Sequence, residues 1–181
     1  MNRSKGVIGA GVLAVAASLV MTGLMEGAVL GAETSGGSDL CIAANGAVQV
    51  KKGTATCEAS GKGSTAIAKG PGSSATAEGR NNKARALGAG STAVAGEGSH
   101  NTATATGTRS SAVAGGGNHN TATARGHLSV AGAGDGNHNT ATATATASGA
   151  VAGEGNNNTA IARTRGCAAA ATTGIRPRDT C

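Results

Sequence analysis

Three histidines recur at one position of a repeated phrase. His100 stands in GSHNTATATG, His119 in GNHNTATARG and His138 in GNHNTATATA, with Asn157 taking the same place in a fourth copy. Imidazole is the commonest metal-binding side chain, so such a row is a candidate site for a divalent transition metal. Three residues earlier in each copy come Glu97, Gly116, Asp135 and Glu154, flanked by glycine. Acids in glycine-rich repeated turns are also how calcium-binding β-rolls hold their ion. Those rolls need G-G-x-G-x-D, and here each turn offers at most a single acid. Both rows fall in turns, where exposed polar residues need no ligand to explain them. The metal reading of His100, His119 and His138 is therefore the weaker one.

The elements that place these residues follow from the repeat. Four blocks of 19 residues align without a gap, starting at Ser91, Ser110, Ser129 and Ser148. Ser73 to Gly90 is the same block one residue short, and Ser64 to Gly72 is a half block. Each block holds two Ala-x-Ala halves, from Ala66 and Ala68 through Ala160 and Ala162, and all 22 of these positions are alanine. Their neighbours vary freely and include Lys83, Arg85, Thr104, Val113 and Ile161. A period of two is a strand signal, and residues i and i+2 share one face. Lysine and arginine do not fit a narrow core, so the alanines point inward and the variable residues outward.

A fixed period near 20 residues indicates a solenoid. The expected fold is all-β: a single-chain β-solenoid of about five to six coils of 19 residues with an alanine-lined interior, following an N-terminal signal helix. Each coil has two short strands and two glycine-rich turns, and coils stack about 4.8 Å apart. The invariant column Asn101, Asn120, Asn139 and Asn158, with Asn82 before it, is expected to satisfy turn backbone groups. Disorder is the competing reading, because such a chain is poor in large apolar residues. It does not explain why 22 positions stay alanine while their neighbours change.

Composition sets the remaining bounds. The 149 residues after Ala32 contain only 13 Leu, Ile and Val, and the chain has no aromatic residue. A conventional apolar core is excluded, so stability must rest on a backbone ladder and capped ends. Residues 1–32 read as a signal peptide: Arg3 and Lys5, an apolar run from Gly6 to Met25, then Leu-Gly-Ala ending at Ala32. The run is also long enough to anchor the chain if it stays uncleaved. Cys41 follows Ser-Asp-Leu, which lacks the small residue that precedes a lipidated cysteine.

Four cysteines, Cys41, Cys57, Cys167 and Cys181, lie outside the repeats. Three pairings exist in principle. Cys41–Cys57 and Cys167–Cys181, one staple at each end, is the economical one, and it suits an exported protein. A zinc site lacks its C-x-x-C pair. The chain thus divides into the signal peptide, an N-terminal cap over 33–63, solenoid repeats over 64–166 and a C-terminal cap over 167–181.

Outward columns remain as candidate surfaces. Thr102 and Thr104, Thr121 and Thr123, Thr140 and Thr142 form two rows on one face. This array resembles the ice-binding face of insect antifreeze solenoids, although Arg85, Arg125, Ile161 and Arg163 interrupt it. Val94, Val113 and Val151 form a row on the opposite face, and such a row tends to be covered by a partner or a second copy. No dense basic stripe or stacking aromatic is present for nucleic acid. No hydrolase, zincin or phosphate-loop motif is present for catalysis, and no cofactor is expected.

The stretch GSTAVAGEGSHNTATATG resembles the head repeats of trimeric autotransporter adhesins, whose units read S-x-A-x-G-x-x-A-x-A-x-G. The likeness covers 64–166 and implies a β-roll that self-associates and adheres to a cell surface or matrix. The period of 19 departs from the adhesin unit, and neither a heptad stalk nor a membrane-barrel segment follows. The chain also resembles exported Ala/Gly/Thr-repeat proteins of high-GC Gram-positive bacteria, which carry no assigned function. Together these imply a secreted or cell-surface protein with a structural or adhesive role.

Overall fold

The computed structural model describes residues 39–171 and 178–181. Residues 1–32, expected to be a signal peptide, lie outside them. The described residues contain strands and turns and no helix. Each coil crosses two sheets that face one another through the alanines. Thr92–Ala95 and Ser111–Ala114 belong to the seven-stranded sheet, whereas Thr102–Ala105 and Thr121–Ala124 belong to the nine-stranded one. Successive coils pair in parallel, with a register shift of 19 residues through the full blocks: Ala112 meets Ala93 and Ala131, and Ala122 meets Ala103 and Ala141. The architecture is an all-β solenoid of about six coils, as the repeat requires.

All 22 alanines are buried, none more than 3 % exposed. Each contributes little apolar area, and a buried methylene is worth only about 0.8 kcal/mol. Most cohesion between coils is therefore polar. Backbone N–H groups of one coil donate to carbonyls of the next throughout, as from Thr121 to Asn139 at 2.8 Å. The asparagine column adds a second ladder, fully buried from Asn82 to Asn158. Asn120 Nδ2 donates to the carbonyls of Gly115 (3.1 Å) and Gly136 (2.9 Å). Its Oδ1 accepts from the Asn139 N–H at 2.9 Å, and its own N–H donates to Asn101 Oδ1 at 2.9 Å. The side chain thus ties its own coil to the next, and the backbone N–H ties the residue to the coil before. Coils approach so closely here that a methyl group at Gly117 would fall on the Gly136 carbonyl oxygen.

The serines that open each block also face inward. Ser73, Ser91, Ser110, Ser129 and Ser148 are at most 2 % exposed. Each hydroxyl donates to the carbonyl three residues back, at 2.6–2.8 Å. The period of two carries back from Ala93 to Ser91 and from Ala131 to Ser129, so these serines continue the alanine face.

The ends are stapled as expected. A hairpin of β1 (Leu40–Ala44) and β2 (Ala47–Lys52) lies antiparallel on β4 (Thr65–Lys69), reversing the parallel stack. A bulge between Ile42 and Ala43, with Lys51 and Lys52 on the outer strand, makes this edge a poor template for a further strand. β3 (Thr56–Ala59) starts the seven-stranded sheet, with Cys57 in the alanine register opposite Ala75. Cys41, opposite Ala68, joins Cys57 across the interior at a Cα separation of 5.5 Å. At the hairpin's margin the Thr54 hydroxyl and Thr54 N–H donate to the Asp39 carboxylate, and these bonds hold its pKa below the ordinary value. A depressed carboxylate pKa means that this tie is present above the ordinary carboxylate range and is lost as pH falls through the folded value.

The C-terminal segment extends the stack before it closes it. Ala168–Ala171 pairs with Gly149–Ala152 in full register, and Arg178–Thr180 pairs with Thr159–Ala162. Cys167 occupies the serine column and joins Cys181 at a Cα separation of 6.0 Å. Asn158 Oδ1 ends the asparagine ladder without a partner among the described residues.

Candidate functional site

The turn that enters the nine-stranded sheet carries the acidic, histidine and asparagine columns together. His100, His119 and His138 are exposed, and their rings follow one another at centroid distances of 4.9 Å, tilted by 51° and 48°. All three have φ of 60°, and the same left-handed conformation occurs at Asn81 (55°) and Asn157 (61°). Among residues with a Cβ, asparagine, aspartate and histidine tolerate this region best. That accounts for the interchange of His and Asn along the column without any ligand. Among the described residues no three His, Cys, Asp or Glu side chains are placed to hold a metal ion. The histidines form a spaced row, with Asn81 Nδ2 lying 3.5 Å from His100 Nε2.

A second asparagine row, missed in the sequence, lies on the outside of this turn. Asn118 Oδ1 accepts from Ser99 N–H (2.9 Å) and its hydroxyl (2.7 Å). Asn137 Oδ1 accepts from Asn118, and Asn156 Oδ1 from Asn137, each through backbone and side-chain N–H groups. Read along the chain, these positions are one serine and then three asparagines, each directly after a glycine, and only the 19-residue register brings them into one line.

The threonine rows are where the repeat places them. Thr102, Thr121, Thr140 and Thr159 are in register, as are Thr104, Thr123, Thr142 and then Ile161. They are half-buried by their neighbours in the row. Lys83 and Arg85 continue the two rows at the N-terminal side, and exposed Arg125 and Arg163 flank them.

The opposite face differs in kind. Val94, Val113 and Val151 share a column, but Gly132 stands between the last two. Val94 is half-buried, whereas Val113 and Val151 are 43 % and 46 % exposed. Val130, in the adjacent column opposite Ser111 and Gly149, is 50 % exposed and belongs to the same patch. From Thr92 to Ala170 the outward positions of the seven-stranded sheet carry no charged side chain.

Comparison with protein-family models, curated proteins and solved structures finds no match. The chemistry of this chain must be read from its own columns. Of those, alanine, buried asparagine and buried serine are committed to the interior, asparagine joining coils and serine closing turns. The outward columns are the ones free to meet another molecule.

Proposed function

We propose that this chain is an exported, non-enzymatic solenoid with a structural or surface-adhesive role, acting through the outer face of its seven-stranded sheet. The observation that carries the reading is the uncharged patch of Val113, Val130 and Val151, exposed on a protein whose other face is lined by threonine and basic residues. A row of exposed β-branched side chains in water favours being covered. Self-association and docking on a cell-surface or matrix protein both cover it. Two end-stapling disulfides suit an oxidising, exported setting. No cofactor or nucleic acid enters this reading, and a membrane enters only through an uncleaved signal segment.

Sedimentation velocity over a concentration series tests it, together with retention on immobilised matrix protein. Val113→Lys combined with Val151→Lys is expected to give a smaller particle or lost retention. Unchanged mass and unchanged retention would remove the valine face from the account.

The in-register rows Thr102, Thr121, Thr140 and Thr104, Thr123, Thr142 favour a second reading, a flat hydroxyl array that orders water or ice. Thermal hysteresis above that of an equal concentration of an inert protein would support it, and its absence would leave the valine face alone. Divalent-metal binding at the turn face would appear in calcium and zinc titrations of the same protein.

A further inference from the structure

The valine face is broken at one point. Val113, Gly132 and Val151 lie side by side on three adjacent strands, so the middle coil has no side chain where its neighbours carry isopropyl groups. At about 4.8 Å per coil the two valines stand about 10 Å apart, which leaves a slot about one alkyl chain wide. The hollow has Val113 and Val151 as walls and Gly132 and Gly134 as floor, and it reaches Asp135 and Glu154 at the turn. Asp135 lies three residues on from Gly132, at most about 10 Å along the chain and within the length of a long side chain with its head group. Asp135 and Glu154 are exposed, and neither carboxylate has a hydrogen-bond or ion-pair partner among the described residues. The acid column has Gly116 in the preceding coil, where a side chain would collide with the Asp135 carboxylate.

An apolar slot that ends at two carboxylates matches one kind of group, an alkyl stem that carries a cation. A wholly apolar side chain would leave the acidic end facing nothing, and an anion would be repelled. We infer that this slot receives an arginine or lysine side chain from a protein partner docked on the valine face. The stem lies between Val113 and Val151, and the cation meets Asp135 and Glu154. Arginine is favoured, because its planar fork engages two carboxylate groups at once. The inference rests on the reading of this face as a docking surface and adds the chemistry of what docks.

The test is an amide-resolved NMR titration of the oxidised protein with N-acetyl-arginine methylamide, with N-acetyl-citrulline methylamide as the uncharged counterpart. Saturable shifts are expected at Gly132, Gly134, Asp135 and Glu154, with citrulline about tenfold weaker. Gly132→Val fills the slot; the new Cβ meets no atom within 4 Å, so the coil is retained. It is expected to weaken arginine binding by about tenfold, as is Asp135→Asn combined with Glu154→Gln. No saturable shift, equal shifts with citrulline, or undiminished binding by Gly132→Val would overturn the inference. Gly132→Val is expected to weaken partner binding as well; partner binding that survives Gly132→Val but is lost with Val113→Lys and Val151→Lys would remove the slot and keep the face. The slot and the face therefore fail separately.

Discussion

At the corner that enters the nine-stranded sheet, Asn120 bonds to its own coil and to the coils before and after it. At the opposite corner, Ser129 Oγ bonds only to Gly126, three residues back in its own turn. Both side chains are fully buried and both are held at one residue type in every full block. The difference is one of range. Serine closes a turn, whereas asparagine couples turns into a stack. A solenoid with an alanine core needs the second kind of bond, because small side chains bury too little area to hold coils together.

Mutating the two corners separates these roles. Asn120→Ala strands the carbonyls of Gly115 and Gly136 and the N–H of Asn139 inside the protein. Each stranded group costs about 1–3 kcal/mol, and a loss of about 3 kcal/mol or more is expected in urea denaturation. Ser129→Ala removes one local bond and is expected to cost about 1 kcal/mol in the same assay. Equal losses would erase the distinction between the corners.

Smaller effects sharpen it. The serine corner holds Arg109, Leu128 and Ala147 at φ of 54°, 56° and 55°, a region that side chains with a Cβ rarely adopt. Leu128→Gly is expected to raise stability by about 0.5–1 kcal/mol, read as a higher urea midpoint. At the asparagine corner the left-handed position is already filled by residues that tolerate it. His119→Asn is expected to change stability by less than about 0.5 kcal/mol, since Asn157 occupies the equivalent place. A large loss from His119→Asn would mean that the imidazole row is bonded in a way the left-handed turn does not account for.

The scaffold is legible in the sequence because its columns are strict. The alanine pairs and the asparagine ladder follow from period, side-chain size and spacing, and of three possible cysteine pairings the economical one, a staple at each end, is the one present. Ser129 and its equivalents escape because serine is usually exposed and its burial depends on one short turn bond. His119 reads as chemistry until its φ is set beside those of Asn81 and Asn157. The valine face is legible only in outline. Val94, Val113 and Val151 read as one row of equals, but Val94 is half-buried, and Gly132 and Val130 reshape the patch between them. Exposure depends on what neighbouring coils place alongside, which a single column does not convey.

Invariant inward columns, not large apolar side chains, make this chain a stack of coils. Residue-resolved amide hydrogen exchange on the oxidised protein tests it most directly. Slow exchange is expected at Asn101, Asn120 and Asn139 and at the alanines of the same coils, with fast exchange at exposed turn amides whose N–H groups are unbonded. Exchange at Asn120 and Ala122 as fast as in an unstructured peptide would contradict it.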